Sequence, residues 1–256
     1  MVEKLKMHDI EVIVLPSPKA VTPDAVFPNN WFSTHVINRK HYLLIYPMYH
    51  PNRQAEVQIE VLQKALRQYK GCEYIVNDLR SIALGRALEG TGVFVFDRCN
   101  QVAFMAKSER ADVDLAQKVA KFLGYELVVF SSQDRNGKAI YHTNVMLAIA
   151  DRFAMICLDS ISDEAEASLV EQKLKKSGKQ IINISFDQLY HMGGNMIQLA
   201  NDQGEKCLLM SKQAEDSLTP EQKAVIDEFN PRLSFDISTI ETVGGGSVRC
   251  MVAEVF

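Results

Sequence analysis

Hydrophobic residues along the chain switch between alternation at every second position, typical of strands, and a wider spacing typical of helices. The switches follow one order, two strands, a helix and a third strand, and that order recurs four times. The predicted elements cover 31–38, 42–46, 54–69 and 73–77 in the first unit; 93–96, 102–106, 110–123 and 126–130 in the second; 145–150, 153–158, 164–176 and 180–185 in the third; and 196–201, 206–210, a helix opened by Ser217 or Thr219, and 233–236 in the fourth. This pattern predicts an α/β protein.

Two features refine the helices. Gly178 predicts the end of the third unit's helix, and Pro220 fits the first turn of the fourth unit's helix, where no partner exists for its missing N–H. On the first unit's helix one stripe is predicted to face the core, because its apolar members recur at every fourth position. Its members are Val57, Val61, Ala65 and Tyr69.

The repeat has a countable register. Asn144 and Asn195 lie 51 positions apart, and so do Asp151 and Asp202, which follow them at the predicted hairpin turns. The same step from Asn195 reaches Gly246, at the start of a last apolar run. This agreement indicates that units of one kind follow each other around a ring.

The two chain ends are predicted to form a fifth unit together. Residues 246–256 read as a strand, residues 2–7 as a short helix and residues 10–15 as another strand. The chain is therefore predicted to be a single domain, 1–256, with the fold of a five-unit pseudosymmetric α/β propeller. Its fifth unit is split between the termini and lacks one strand. An open edge exposes unpaired backbone groups, so a homo-oligomer is a further expectation.

Composition narrows the class of protein. The 256 residues are 47% hydrophobic and 23% charged, with a net charge of −4, which indicates a globular chain and no nucleic-acid partner. No apolar run is long enough to cross a membrane and no signal sequence precedes the first unit, so a cytoplasmic location is expected. The five cysteines are odd in number and lack zinc-site spacing, so neither disulfides, a metal nor a cofactor is predicted.

Reactive residues cluster at the junctions between units. These loops are predicted to open toward the centre of the ring and to bring together five residues that are far apart in sequence. They are Asp24, Glu89, His142, Asn144 and Cys250. Three glycines precede Cys250, which lets a ligand approach the backbone, and the neighbouring Arg249 supplies a positive charge that favours a thiolate.

A cysteine, a histidine and two carboxylates can perform nucleophilic chemistry. The cysteine attacks an electrophilic carbon, the histidine moves protons, one acid orients the histidine and the other binds a cationic group. Each residue also has a simpler interpretation. Cys250 could be a core cysteine, His142 could cap a turn, Asp24 and Glu89 could be solvated loop acids, and Asn144 could satisfy loop backbone.

Four motifs resemble the amidinotransferase and arginine deiminase superfamily, and within it the branch described as citrulline-utilisation hydrolases. They read TPDAVFPNNW at 22–31, LEGTG at 88–92, HTNVM at 142–146 and GGGSVRCM at 244–251. The resemblance covers essentially the whole chain and implies the five-unit propeller already predicted by the repeat. It also implies that the N-terminal strand of the family is missing from this sequence.

The resemblance implies hydrolysis at a guanidino or ureido carbon through a covalent intermediate on Cys250. His142 and Glu89 would complete the catalytic set, while Asp24, Asn144 and Arg249 would bind the small-molecule substrate. Related deiminases carry an aspartate where this chain has Asn144, and another where it has Gly92, so a neutral ureido compound becomes more plausible. Two alternatives remain open: an amidinotransferase that uses an amine instead of water, and a non-catalytic propeller that only binds a partner.

Overall fold

Four three-stranded sheets make up the fold in the computed structural model, which describes residues 1–18 and 22–256. In each sheet the middle strand pairs antiparallel with the strand before it and parallel with the strand after it. The strands, grouped by sheet, are β1 (Phe32–Ile37), β2 (Lys40–Ile45) and β3 (Ile75–Asp78); β4 (Val95–Asp97), β5 (Val102–Lys107) and β6 (Glu126–Ser131); β7 (Leu147–Ile149), β8 (Phe153–Ile156) and β9 (Gln180–Asn183); and β10 (Ile197–Ala200), β11 (Lys206–Ser211) and β12 (Arg232–Phe235).

Helices connect the parallel strands, since a parallel pair needs a crossover longer than a hairpin turn. The helices are α1 (Val2–Lys6), α2 (Pro51–Gln54), α3 (Ile59–Lys70), α4 (Arg80–Ala83), α5 (Gly90–Val93), α6 (Val113–Leu123), α7 (Glu164–Lys176), α8 (Phe186–Tyr190), α9 (Lys212–Ser217), α10 (Pro220–Phe229) and α11 (Ser238–Gly244). The predicted unit order is confirmed in all four sheets, and α7 has the predicted bounds. At α10, Thr219 forms a capping box with Gln222, as its position before Pro220 suggested.

The predicted core stripe of α3 is wrong. Val61 is exposed on 37% of its surface, whereas Leu62 and Leu66 are buried against β2 and its neighbours. The two leucines also lie four positions apart, one position on from the predicted series. Because they are larger than Ala65 and fully apolar, packing them inward buries more hydrocarbon than the predicted stripe would.

Apolar side chains fill the spaces between the sheets. The largest cluster joins the second, third and fourth sheets and includes Phe104, Phe130, Phe153 and Met155. A second cluster joins the first two sheets and includes Tyr46 and Phe94. Because each cluster draws on adjacent units, neighbouring sheets are held together, and β7 packs beside both β4 and β10.

The chain ends differ from the prediction. Residues 10–15, predicted as a strand, have no strand pairing, and residues 246–256 contain a short 3-10 helix, Val248–Met251, followed by an unpaired extended segment. That segment lies along β1, where Thr34 Oγ1 donates a hydrogen bond to Glu254 O and accepts one from Phe256 N. With no middle strand between the two end segments, neither finds a ladder partner among the described residues, so the fifth unit is not a sheet.

The α/β class is thus confirmed and rests on four small mixed sheets. In the part of the chain that the structure describes, no helix has the length and apolar character needed to cross a membrane.

Candidate active site

Short turns at the starts of the first strands build one buried site. The 3-10 turn Pro28–Asn30 precedes β1, α5 precedes β4, and the 3-10 turn Thr143–Val145 precedes β7. The α5 turn packs against both of the others. The Val248–Met251 turn packs against Pro28–Asn30, so four junctions meet in one place.

Cys250 lies in this site with 4% of its surface exposed. Asn195 Nδ2 donates a hydrogen bond to its sulfur at 3.3 Å, and Asn144 Nδ2 lies 3.7 Å from the same sulfur. The two asparagines are also joined to each other, since Asn195 Nδ2 lies 3.0 Å from Asn144 O. The third, fourth and C-terminal junctions therefore converge on one thiol.

His142 and Glu89 form the second part of the site. His142 Nε2 donates to Glu89 Oε2 at 2.6 Å, which places the imidazole proton on Nε2 and leaves Nδ1 as an acceptor. Glu89 Oε1 accepts the backbone N–H of Tyr49 at 2.9 Å, and Arg110 Nη1 lies 3.5 Å from Oε2. His142 is two residues from Asn144, so one loop carries both the imidazole and an amide that contacts the thiol.

Burial and charge set the ionisation of this pair. Burial raises the pKa of Glu89, but the hydrogen bond and charge of His142, the Tyr49 N–H and Arg110 lower it to about 2. Burial also lowers the pKa of His142, against the raising effect of Glu89. Glu89 is therefore a carboxylate and His142 a neutral imidazole at neutral pH in the free protein.

Close packing at Gly92 brings the loops together. A Cβ atom at this position would overlap the side-chain amide of Asn30 and lie 2.9 Å from His142 Nδ1. Thr91 Oγ1 donates to Asn29 O at 3.1 Å and so ties the same turn to the first junction. A glycine is required here because any larger side chain would push the imidazole and the Asn30 amide apart.

Asn30 was not predicted from the sequence as a site residue. Its Oδ1 accepts a hydrogen bond from Arg53 Nη1 at 2.7 Å, and Arg53 is held by both carboxylate oxygens of Glu56. Because arginine can only donate, the amide orientation is fixed and Nδ2 points to the opposite side. Asn30 Nδ2 is buried and has no hydrogen-bond partner among the described residues.

Asp24 lies at the edge of the site. Its backbone carbonyl accepts from Arg53 Nη2 at 3.3 Å, and its side chain is partly exposed. Burial raises the pKa of Glu56, and the charge of Asp24 raises it further, so the two carboxyl groups are neighbours. Asp24 thus belongs to the same loop cluster, on the side of Arg53 and Glu56.

Arg249 turns away from the thiol. Its Nη1 donates to Val252 O at 2.8 Å, and its Nη2 lies 3.8 Å from Glu254 Oε2. Both side chains line a cavity of about 120 Å³ that is also bounded by Asp97 and Lys179. The guanidinium of Arg249 is therefore held by the C-terminal segment.

Two other residues, Arg110 and Asn195, lie at the site, although the sequence analysis predicted no role for either. Arg110 stacks on Tyr141, with its guanidinium carbon 4.8 Å from the ring centre, and no motif marked it. Asn195 did have a signal, because the 51-residue register made it the counterpart of Asn144. Among residues 1–18 and 22–256, no group of three or more His, Cys, Asp or Glu is placed to hold a metal ion.

Comparison with known structures shows the same fold in several proteins. Similar chains include ArgZ, an arginine dihydrolase from cyanobacteria (17% identity, TM-score 0.74, 99% of this chain and 36% of that one). They also include a dimethylarginine dimethylaminohydrolase adduct with S-methyl-L-thiocitrulline (16%, 0.67, 98% and 84%) and the amidinotransferase SxtG from Microseira wollei (16%, 0.64, 98% and 76%). The chain therefore spans only about a third of the ArgZ chain.

A search of curated protein sequences found no match. The superfamily resemblance of the motifs is confirmed by a family model, whereas the citrulline-utilisation branch within it stays a prediction. The model described as N,N dimethylarginine dimethylhydrolase, eukaryotic, matches residues 1–256, and the chain thus belongs to this family of enzymes in the amidinotransferase and arginine deiminase superfamily.

Proposed function

We propose that the protein is a cysteine-dependent hydrolase acting on the guanidino or ureido carbon of an arginine- or citrulline-like small molecule. One observation carries the proposal: His142, paired with the buried Glu89, and Asn144, which contacts Cys250 Sγ, lie two residues apart on one loop. A base oriented by an acid next to a nucleophile is the arrangement that covalent catalysis requires. ArgZ and the dimethylarginine hydrolase, which share the fold, act on compounds of this class by name.

The proposed reaction has two steps. The thiol of Cys250 gives its proton to His142 Nδ1 as its sulfur bonds to the substrate carbon, and one C–N bond breaks as His142 passes that proton to the departing nitrogen. Water then bonds to the same carbon after giving a proton to His142, and the C–S bond breaks to restore the thiol. Glu89 holds the imidazole through Nε2, so proton transfer uses Nδ1, which faces Gly92 and Asn30.

The polar groups around the site favour a neutral ureido substrate. Asn30 Nδ2 is a buried donor without a partner, and Asn144 presents an amide where related deiminases have an acid. A guanidinium group carries only donors and would leave Asn30 Nδ2 unpaired, whereas a ureido oxygen can accept its hydrogen bond. We therefore propose a citrulline-like compound ahead of an arginine-like one.

The ends of the substrate have separate candidate partners. Asp24, on the partly exposed edge of the cluster, is proposed to bind a cationic group. Arg110 has a buried Nε without a partner and 18% of its side chain exposed, so it is proposed to bind the carboxylate of an amino acid. The substrate-binding role of Arg249 stays a prediction from the sequence, and its guanidinium already bonds Val252 and lies beside Glu254.

We also propose that the single domain is a five-unit propeller whose split fifth unit is formed by the end segments. Val12 and Val252 pack in one apolar cluster, and Leu15 and Val255 in another, as the two halves of one unit would. The cytoplasmic location and a homo-oligomer stay predictions from the sequence.

The direct test is to detect an acyl-type adduct on Cys250. The protein is mixed with citrulline, arginine or N-methylated arginines, quenched in acid, digested and analysed by mass spectrometry at the Cys250 peptide. An adduct that decays with release of product is expected, and Cys250→Ser should carry none. Absence of both adduct and turnover with every compound would contradict the proposal. Transfer of the group to an added primary amine, faster than to water, would favour the amidinotransferase instead.

A further inference from the structure

The loop His191–Asn195 is shaped to present one amide to the thiol. A Cβ atom at Gly194 would overlap the backbone oxygen of Val145, and one at Gly193 would lie 2.8 Å from Gln188 O. Met192 adopts a positive φ of 62°, which is uncommon for a residue with a side chain. The loop therefore approaches the Asn144 turn more closely than an ordinary sequence would allow, and Asn195 stands at its end.

Both ends of the Asn195 amide are used. Its Oδ1 accepts the backbone N–H of Arg249 at 3.0 Å, and its Nδ2 donates to Asn144 O at 3.0 Å. An N–H can only donate and a carbonyl can only accept, so the positions of Oδ1 and Nδ2 are not interchangeable. Nδ2 must then face Cys250 Sγ, where it forms the shortest hydrogen bond to the sulfur in the described chain, 3.3 Å.

We propose that Asn195 is a positioning residue for Cys250, which fixes the Val248–Arg249 peptide against the His142–Asn144 loop and stabilises negative charge on the sulfur by donating from Nδ2. The inference rests on the proposed function only in treating Cys250 as the nucleophile. Asn144 is less suited to the same role, because its Nδ2 lies 3.7 Å from the sulfur, against 3.3 Å for Asn195 Nδ2.

Tyr141 and Arg249 also interact electrostatically with Cys250. Burial, and then charge on Cys250, raises the pKa of Tyr141 to about 12. Burial lowers the pKa of Arg249, opposed by Glu254 and by charge on Cys250. His142 and Glu89 lie on the adjoining loops. None of these groups is altered by a substitution at position 195, so the amide can be tested alone.

Alkylation of Cys250 tests this role without needing a substrate. Asn195→Asp keeps the acceptor for Arg249 N–H but removes the Nδ2 donor to the sulfur and to Asn144 O, whereas Asn195→Ala removes all three hydrogen bonds. The rate of iodoacetamide labelling of the Cys250 peptide is followed by mass spectrometry from pH 6 to 10. Both variants should reach half-maximal rate at higher pH than the parent, with Asn195→Asp displaced further because it adds a negative charge. A hydrogen bond to a charged group predicts a loss of about tenfold to a hundredfold in labelling rate near pH 7.

Asn230→Ala is the matched control, since Asn230 is also a buried asparagine but lies beside Gln198. It should lower stability without changing the labelling profile. If labelling of Cys250 has the same rate and pH dependence in the parent and in both Asn195 variants, the positioning role is wrong. Failure of the proposed function would look different. The parent protein would then turn over none of the substrates, while the labelling rates of the parent and the Asn195 variants still differed.

Discussion

Glu89 Oε2 and His142 Nε2 lie 2.6 Å apart, and both side chains are almost completely buried. Burying a carboxylate costs free energy unless its oxygens are paired. Here the Tyr49 N–H donates to Oε1 of Glu89, and the Arg110 guanidinium lies beside Oε2. The arrangement fixes one tautomer of the imidazole. It therefore sets which nitrogen can exchange a proton with a ligand.

Replacing Glu89 by glutamine should slow turnover about tenfold to a hundredfold, because the carboxylate no longer orients and stabilises the protonated imidazole. The charge of Glu89 raises the pKa of His142, so its removal lowers that pKa further. Any step that needs protonated His142 would then fail at a lower pH. The alkaline limb of the kcat profile should move to lower pH.

Glu166→Gln provides the comparison for that experiment. Glu166 also accepts a backbone N–H, from Ser131, but it lies on α7 away from the site. Its variant should keep the parent profile. An unshifted alkaline limb in Glu89→Gln would show that the acid does not act through His142.

Cys250→Ser should abolish turnover and leave the thermal unfolding curve nearly unchanged, because a hydroxyl replaces the thiol at the same size but is a far weaker nucleophile. Cys207 is equally buried, at 4% exposure, but sits in β11 among apolar side chains. Cys207→Ser should therefore lower stability and keep activity. Near-normal kcat in Cys250→Ser would eliminate the covalent mechanism.

His142→Ala should reduce kcat by at least about a hundredfold, the scale of a general acid–base group. Added imidazole should restore part of the rate, since the substitution leaves a space beside Glu89 that can bind it. Single-turnover kinetics with product detection measure both effects. A reduction of less than tenfold would remove His142 from the proton-transfer steps.

Much of the fold could be predicted because the repeat supplies the same signal four times. The bounds of α7 and the Pro220 start of α10 follow from local chemistry, namely capping groups and a proline that fits only a first turn. The end segments could not be predicted as well. An apolar run such as residues 10–15 becomes a strand only if a neighbour is present to pair with it, and that depends on segments far away in the sequence.

The site was harder to predict than the fold. Recognisable motifs contain Glu89, His142, Asn144 and Cys250. The orientation of the Asn30 amide, in contrast, is set by Arg53, which lies 23 positions away and belongs to no motif. The role of Arg249 as a substrate ligand stays a prediction. It adjoins Cys250 in sequence, yet the backbone of a 3-10 turn sends its side chain toward Glu254. Neighbours in sequence therefore do not indicate the direction of a side chain.

Asn30→Asp should shift substrate preference from ureido toward guanidino compounds. The change replaces the unpaired donor by a second acceptor, which a guanidinium can satisfy and a ureido oxygen cannot. We expect kcat/KM for citrulline relative to arginine to fall about tenfold or more, the scale of an unpaired buried polar group. Asn29→Asp, at the neighbouring buried position, serves as the comparison. An unchanged ratio in Asn30→Asp would exclude this amide as the discriminating group.

His35 should make the protein less stable at acidic pH. Its imidazole is buried, and Ser33 Oγ lies 2.7 Å from Nε2. Burial, followed by the charge of Arg98 and against that of Glu254, lowers its pKa from 6.5 to about 3. Because the unfolded chain binds this proton below about pH 6.5 and the folded chain does not, the free energy of unfolding should fall as pH drops from 6.5 to 3, by about 1 kcal/mol per pH unit in the middle of that range. Above pH 6.5 this contribution of His35 to the free energy of unfolding is constant.

His35→Gln keeps a polar partner for Ser33 but cannot titrate. Urea unfolding of the parent and of the variant should therefore give curves of stability against pH that converge as pH falls. The same substitution at the exposed His8 gives the comparison. Parallel curves for the parent and His35→Gln between pH 6.5 and 4 would show that this histidine is already protonated in the folded protein.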